Sequence, residues 1–242
     1  MEHALTPDPF DALPRPRRRP QEHGRTPFDG LRPWSAITHG IGAALAILGT
    51  VLLLVKAVIT GADAWKLVSF SIYGASMIGL YTASTLYHSV HTTAAKRIAL
   101  RKYDHASIYF LIAGTYTPVC LTALRGPWGW SMFGIIWVLA IAGLVMTLAW
   151  INCPRWLTST IYIAMGWLAL VAIYPLYLTL GVSGVLWLLS GGILYTIGGV
   201  LYALKWPARD NPRFGCHEIF HVFIVLGSVA HFMMIYHVLL PL

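Results

Sequence analysis

The chain has 242 residues, 57% of them hydrophobic and only 11% charged, with a formal net charge of +8. Soluble domains carry about 25% charged residues, and a single buried core cannot explain the deficit, because domains of this size still expose much of their surface. A polytopic membrane protein is expected. The basic residues are spread over a tail and short loops between apolar runs, which suits anionic membrane lipid and excludes a nucleic-acid groove.

Residues 1–32 read as a separate cytoplasmic tail, rich in proline and carrying the run Arg15-Pro16-Arg17-Arg18-Arg19-Pro20. With few large apolar residues it is expected to be disordered, and it lacks the apolar core of a signal peptide. Residues 33–242 read as one membrane domain. Seven apolar stretches, at about 34–60, 66–90, 104–124, 129–151, 156–179, 183–204 and 215–240, each approach the roughly 20 residues a spanning helix needs. The predicted fold is therefore an all-α integral membrane protein, a seven-transmembrane helix bundle. Repeated glycine and other small residues suit close helix contacts in lipid. Pro118 and Pro175 are expected to kink their helices.

Charge bias sets the predicted orientation. Arg15, Arg17, Arg18, Arg19, Arg25 and Arg32 precede the first stretch. Lys96, Arg97, Arg101 and Lys102 fall in the second connection, Arg155 in the fourth, and Lys205, Arg209 and Arg213 in the sixth. The opposite loops hold only Lys66 and Arg125, with Lys56 near the end of the first helix. The positive-inside rule puts the N-terminus in the cytoplasm and the C-terminus outside the cell membrane. Trp65, Trp128 and Trp130 then mark the outer interface, and Trp34, Trp150, Trp156 and Trp206 the inner one. The three cysteines, Cys120, Cys153 and Cys216, have no paired spacing and describe no disulfide framework.

This topology brings distant residues to one membrane level. His88 falls at the cytoplasmic end of helix 2, Asp104 at the start of helix 3, and His217 and His221 in the first turns of helix 7. His217 and His221 are four apart and share a face, as do Ser84 and His88. Tyr81 and Ser228 continue the two polar stripes, which should face the bundle interior. Three neutral imidazoles with a nearby carboxylate are the inventory of an open zinc site, whose fourth position takes water; imidazole also suits copper, iron and nickel. In that reading His88, His217 and His221 are the metal ligands. Asp104 holds or deprotonates the water, and Ser84 orients a ligand or the water. The blander readings are interfacial histidines, an Asp104 that caps helix 3 and a Ser84 bonded back to its own helix. His39 is expected to be structural or to support a ligand, His105 interfacial, His91 solvated, and His231 too far along helix 7 to share the metal, though able to line a cavity. Cys216 and Glu218 should lie off the ligand face.

The stretches Ser84-Thr85-Leu86-Tyr87-His88, Tyr103-Asp104-His105-Ala106-Ser107-Ile108-Tyr109 and His217-Glu218-Ile219-Phe220-His221 resemble, in order and placement, the signature motifs of the hemolysin III family, which belongs with the progestin and adipoQ receptors. Trp34-Ser35-Ala36-Ile37-Thr38-His39-Gly40 is similar to the family's N-terminal motif, with Ser35 where many relatives have Asn. The resemblance covers about residues 33–240. It implies a seven-helix fold with cytoplasmic N-terminus and zinc bound by His88, His217 and His221, with Asp104 and Ser84 nearby. Animal receptor members are associated with hydrolysis of ceramide-type amides, whereas bacterial members are named for haemolysis and often described as pore formers. The expected functions are thus a zinc-dependent hydrolase acting on a lipid amide or ester, a cytolytic pore with structural zinc, or a receptor-like regulator of membrane-lipid state.

Overall fold

The computed structural model describes residues 31–208, 211 and 214–242, so most of the predicted tail lies outside the described residues. Every regular element among them is helical. The helices are α1 (Pro33–Ile59), α2 (Ala64–Ser89), α3 (Ala94–Pro118), α4 (Pro127–Ala149), α5 (Arg155–Trp167), α6 (Ile173–Leu204) and α7 (Cys216–Met234). Short π-helical turns, Val119–Ala123 and Ile235–Leu239, extend α3 and α7, and a 3-10 segment, Leu168–Ala172, joins α5 to α6. Among the described residues, six helical stretches are long and apolar enough to cross a membrane. In lipid, helices satisfy every backbone polar group internally, which is why so apolar a chain folds this way.

Burial follows helical period. On α1 the buried residues are Ser35, His39, Gly42, Ala46, Thr50, Leu53 and Ala57, a single stripe three or four apart. The remaining faces show large apolar side chains to lipid, Ile41, Leu48 and Val55 among them. Small residues set the spacing between helices. A Cβ on Gly42 would lie 2.6 Å from the Tyr81 ring, and one on Gly74 would lie 2.3 Å from Thr50. Gly143 receives the Tyr109 ring in the same way, binding α4 to α3.

The longest apolar stretch runs over Arg155–Leu204, 50 residues. It is interrupted at Gly181, whose φ of 64° and ψ of −174° are not helical and belong to a region that essentially only glycine adopts. Trp167 Nε1 donates to Thr196 Oγ1 at 2.8 Å, and Gly199 packs on Ile163. The chain therefore doubles back near Gly181, and the two limbs run antiparallel. Pro175 sits just beyond the 3-10 segment, where its missing N–H removes a helical bond. Pro118 stands directly before the π turn.

Two boundaries differ from expectation. The division between α5 and α6 falls at Leu168–Ala172, where a 3-10 segment interrupts the α-helix, while the Gly181 kink lies inside α6. α3 begins at Ala94, about ten residues before the stretch that hydropathy marks. Thr93 caps it by accepting from the Lys96 amide, and the charged turns that follow lie where water and headgroups can solvate them. Arg97 is nonetheless buried, because it folds back onto the end of α2 and donates to the Tyr87 and Val90 carbonyls. Asp104 consequently lies within α3 and is buried there; it is not a helix cap.

Candidate metal centre

Two helices bring the cluster together. His88 ends up in the last turn of α2, and His217 and His221 occupy the first two turns of α7. One ring nitrogen from each lies within 4.8 Å of the other two, and His88 and His221 are 2% exposed. His88 Nε2 and His217 Nε2 stand 3.2 Å apart. Tetrahedral zinc with Zn–N bonds of about 2.0–2.1 Å separates neighbouring nitrogens by about 3.3 Å. The closest pair is already at that spacing, and small side-chain shifts would bring in the third. The donor set, three imidazoles without thiolates, is also that of an open metal site. His88, His217 and His221 thus form a cluster that could hold a metal ion.

The surroundings orient the rings. His221 Nδ1 faces the Ser35 carbonyl at 3.3 Å. A carbonyl only accepts, so Nδ1 carries the hydrogen and Nε2 keeps a lone pair for the cluster. His39 stacks on His221 with centroids 3.6 Å apart and rings nearly parallel, outside the three-ligand group. The Tyr202 ring flanks His217 at 5.4 Å. Cys216 and Glu218 do not join the cluster.

Glu218 has a different task. Its carboxylate, 1% exposed, accepts from Arg32 Nη1 at 3.1 Å, Ser35 Oγ at 3.0 Å and the Gly215 amide at 2.8 Å. The Arg32 amide in turn donates to the His88 carbonyl at 3.0 Å. Arg32, Ser35 and Glu218 therefore strap together the starts of α1 and α7 and the end of α2. Sequence reasoning missed this strap, placing Arg32 in the tail and expecting Glu218 to contact a loop or a neighbouring helix without naming its partners. The Gly215-x-x-Glu218 spacing at a helix start, a capping-box pattern, is the signal that could have revealed half of it.

Ser84 and Asp104 line the same cavity as His217 and His221. Ser84 lies one turn before His88, Asp104 lies beside it, and the buried Ser84 Oγ makes no hydrogen bond among the described residues. Asp104 stands apart from the three-histidine group. From this polar end the cavity continues between α3, α5, α6 and α7 along apolar side chains such as Ile112, Val119 and Leu176. His105 and His231 are also on its wall, whereas His91 is exposed at the end of α2.

The family profile described as Haemolysin-III related matches residues 33–232. The chain belongs to the hemolysin III family. "Hemolysin-3" of Bacillus cereus is 42% identical over 208 residues, 86% of this chain and 91% of the relative. The "Hemolysin-3 homolog" of Bacillus subtilis is 42% identical over 198 residues, 82% of this chain and 89% of the relative. The human "Monocyte to macrophage differentiation factor" is more distant, 26% identical over 177 residues and 70% of each chain. Its apolar helices and family membership make this hemolysin III protein a multi-pass membrane protein, with the cell membrane the usual site for the family.

Proposed function

We propose that this protein is a zinc-dependent membrane hydrolase acting on a lipid amide or ester near the cytoplasmic face. One observation carries the reading: a largely buried three-histidine cluster, of which His217 and His221 line an apolar cavity together with a serine and an acid. Topology supports the depth. At about 1.5 Å per residue a straight 50-residue helix would run about 75 Å, far beyond a hydrocarbon core of about 30 Å. Doubling back at Gly181 would turn it into two crossings, for seven in all. The positive-inside rule then puts the N-terminus and the histidine cluster on the cytoplasmic side.

His88, His217 and His221 would hold the ion. Bound zinc supplies Lewis acidity for a substrate carbonyl and makes water nucleophilic near neutral pH. Asp104 takes a proton from the attacking water as the new C–O bond forms, and returns it to the leaving nitrogen or oxygen as the scissile bond breaks. Ser84, whose Oγ is left without a partner among the described residues, would orient a ligand or the water. The apolar wall excludes bulk water and holds an acyl chain, and half-exposed Leu170 on that wall supports entry from the lipid side.

The test is turnover by purified, zinc-loaded protein across a panel of long-chain amides and esters. Hydrolysis that falls about 100-fold or more in Asp104→Asn with the metal retained supports the mechanism; no turnover by wild type across the panel overturns it. The name Hemolysin-3 borne by the Bacillus relatives favours a second reading, membrane damage with a structural metal. Liposome leakage that persists in His88→Ala would select it.

A further inference from the structure

Beyond the metal cluster, the cavity passes a second polar group, and nothing in the proposed reaction uses it. Tyr81 donates to Ser228 Oγ at 2.7 Å, and the Tyr195 hydroxyl lies 2.9 Å from the same oxygen. Further along α7, the buried His231 places Nε2 3.3 Å from the Leu188 carbonyl. Both His231 and Tyr195 line the cavity. Two glycines make room for these rings. A Cβ on Gly191 would come within 2.5 Å of the His231 imidazole, and one on Gly227 within 2.5 Å of the Tyr195 ring.

The hydrogen bonds have a direction. The Leu188 carbonyl can only accept, so His231 Nε2 carries the hydrogen, and in the neutral ring Nδ1 is then an acceptor. That Nδ1 is buried and has no partner among the described residues. Tyr81 donates to Ser228, and the Ser228–Tyr195 bond can run either way; when the serine donates, the Tyr195 O–H is left to donate elsewhere. The wall thus holds an acceptor at His231 and, in that arrangement, a donor at Tyr195, inside apolar surroundings where unmet polar groups are costly. A hydroxyl, which both donates and accepts, complements the pair.

We propose that His231 and Tyr195 form a second, polar subsite of the cavity that binds a hydroxyl carried well down an acyl chain. The subsite rests on the reading of the cavity as a lipid site. His231 follows His221 by ten residues, about 15 Å along the helix axis. A lipid whose carbonyl sits at the histidine cluster therefore presents the distal part of its chain, not its headgroup, to His231.

Binding to the full chain, purified and zinc-loaded, tests this with stearic acid and its monohydroxy positional isomers. Isomers with the hydroxyl in the distal half of the chain should bind wild type about tenfold more tightly than stearic acid; a hydroxyl beside the carboxyl should add nothing. The preference should vanish in His231→Phe and return in part in His231→Gln, whose carbonyl restores an acceptor, while stearic acid binds all three alike. Equal binding of every isomer to wild type overturns the subsite and leaves the lipid cavity standing, as does a preference that survives His231→Phe. If no acid binds wild type, the lipid reading of the cavity fails and takes the subsite with it.

Discussion

Replacing Glu218 by alanine probes whether the strap around the histidines controls the metal or only the fold. The carboxylate accepts from Arg32, Ser35 and the Gly215 amide at 2.8–3.1 Å. Truncation strands the Gly215 N–H, which is buried, and each buried donor without a partner costs about 1–3 kcal/mol. The Ser35 hydroxyl loses its acceptor too, but it can rotate toward its own helix. The Arg32 side chain is 36% exposed and turns to water, so its share is discounted. The cost to stability is therefore about 1–3 kcal/mol, carried by the Gly215 N–H. The Ser35 carbonyl also receives His221 Nδ1, so loosening α1 from α7 should weaken zinc binding, and losing such an outer partner typically costs about 10–100-fold in affinity. Glu218→Gln, which keeps an acceptor for Gly215 but loses the charge facing Arg32, should fall between. Competition for zinc against a chromophoric chelator reads the affinity, and thermal unfolding with and without zinc reads the stability. A Glu218→Ala protein that is destabilised yet binds zinc like wild type would refute the coupling.

Two further outcomes are expected. Purified wild type should carry about one zinc per chain by elemental analysis, lost in His88→Ala and His217→Ala but kept in His105→Ala, which lies on the cavity wall outside the cluster; chelation should lower the melting temperature of wild type and leave the first two variants unchanged. Gly129→Ala should cost about 3 kcal/mol or more, because its Cβ would meet the Cys120 carbonyl at 2.1 Å and backbone cannot yield as a side chain does. Gly134→Ala, with open space around it, is the control, and thermal unfolding in detergent compares the two.

The membrane character and the helical elements were legible in the residues themselves. Hydropathy and the need to satisfy backbone hydrogen bonds in lipid act locally along the chain, so the apolar runs marked each helix to within a few residues. The exceptions were α3, whose cationic first turns carry no hydropathy signal although Thr93 caps them, and the division of α5 from α6, which a 3-10 segment at Leu168–Ala172 makes with no change in hydropathy. The break near residue 181 was expected where one apolar run ends and another begins, and Gly181 supplies the backbone conformation for it.

The polar residues behaved differently. Spacing alone put His217 beside His221 and Ser84 beside His88, because one helix carries each pair. That His88 meets the α7 histidines, that Tyr81 bonds Ser228 from 147 residues away, and that Arg32 and Ser35 close on Glu218 depend on which helices are neighbours and how each is rotated about its axis. Those choices are made by small-residue contacts such as Gly42 against Tyr81 and Gly191 against His231. Their partners lie far off in the sequence, and a difference of one methyl group decides whether two helices can approach. The residue pattern marked the membrane helices and their polar stripes; packing between them chose which stripes meet.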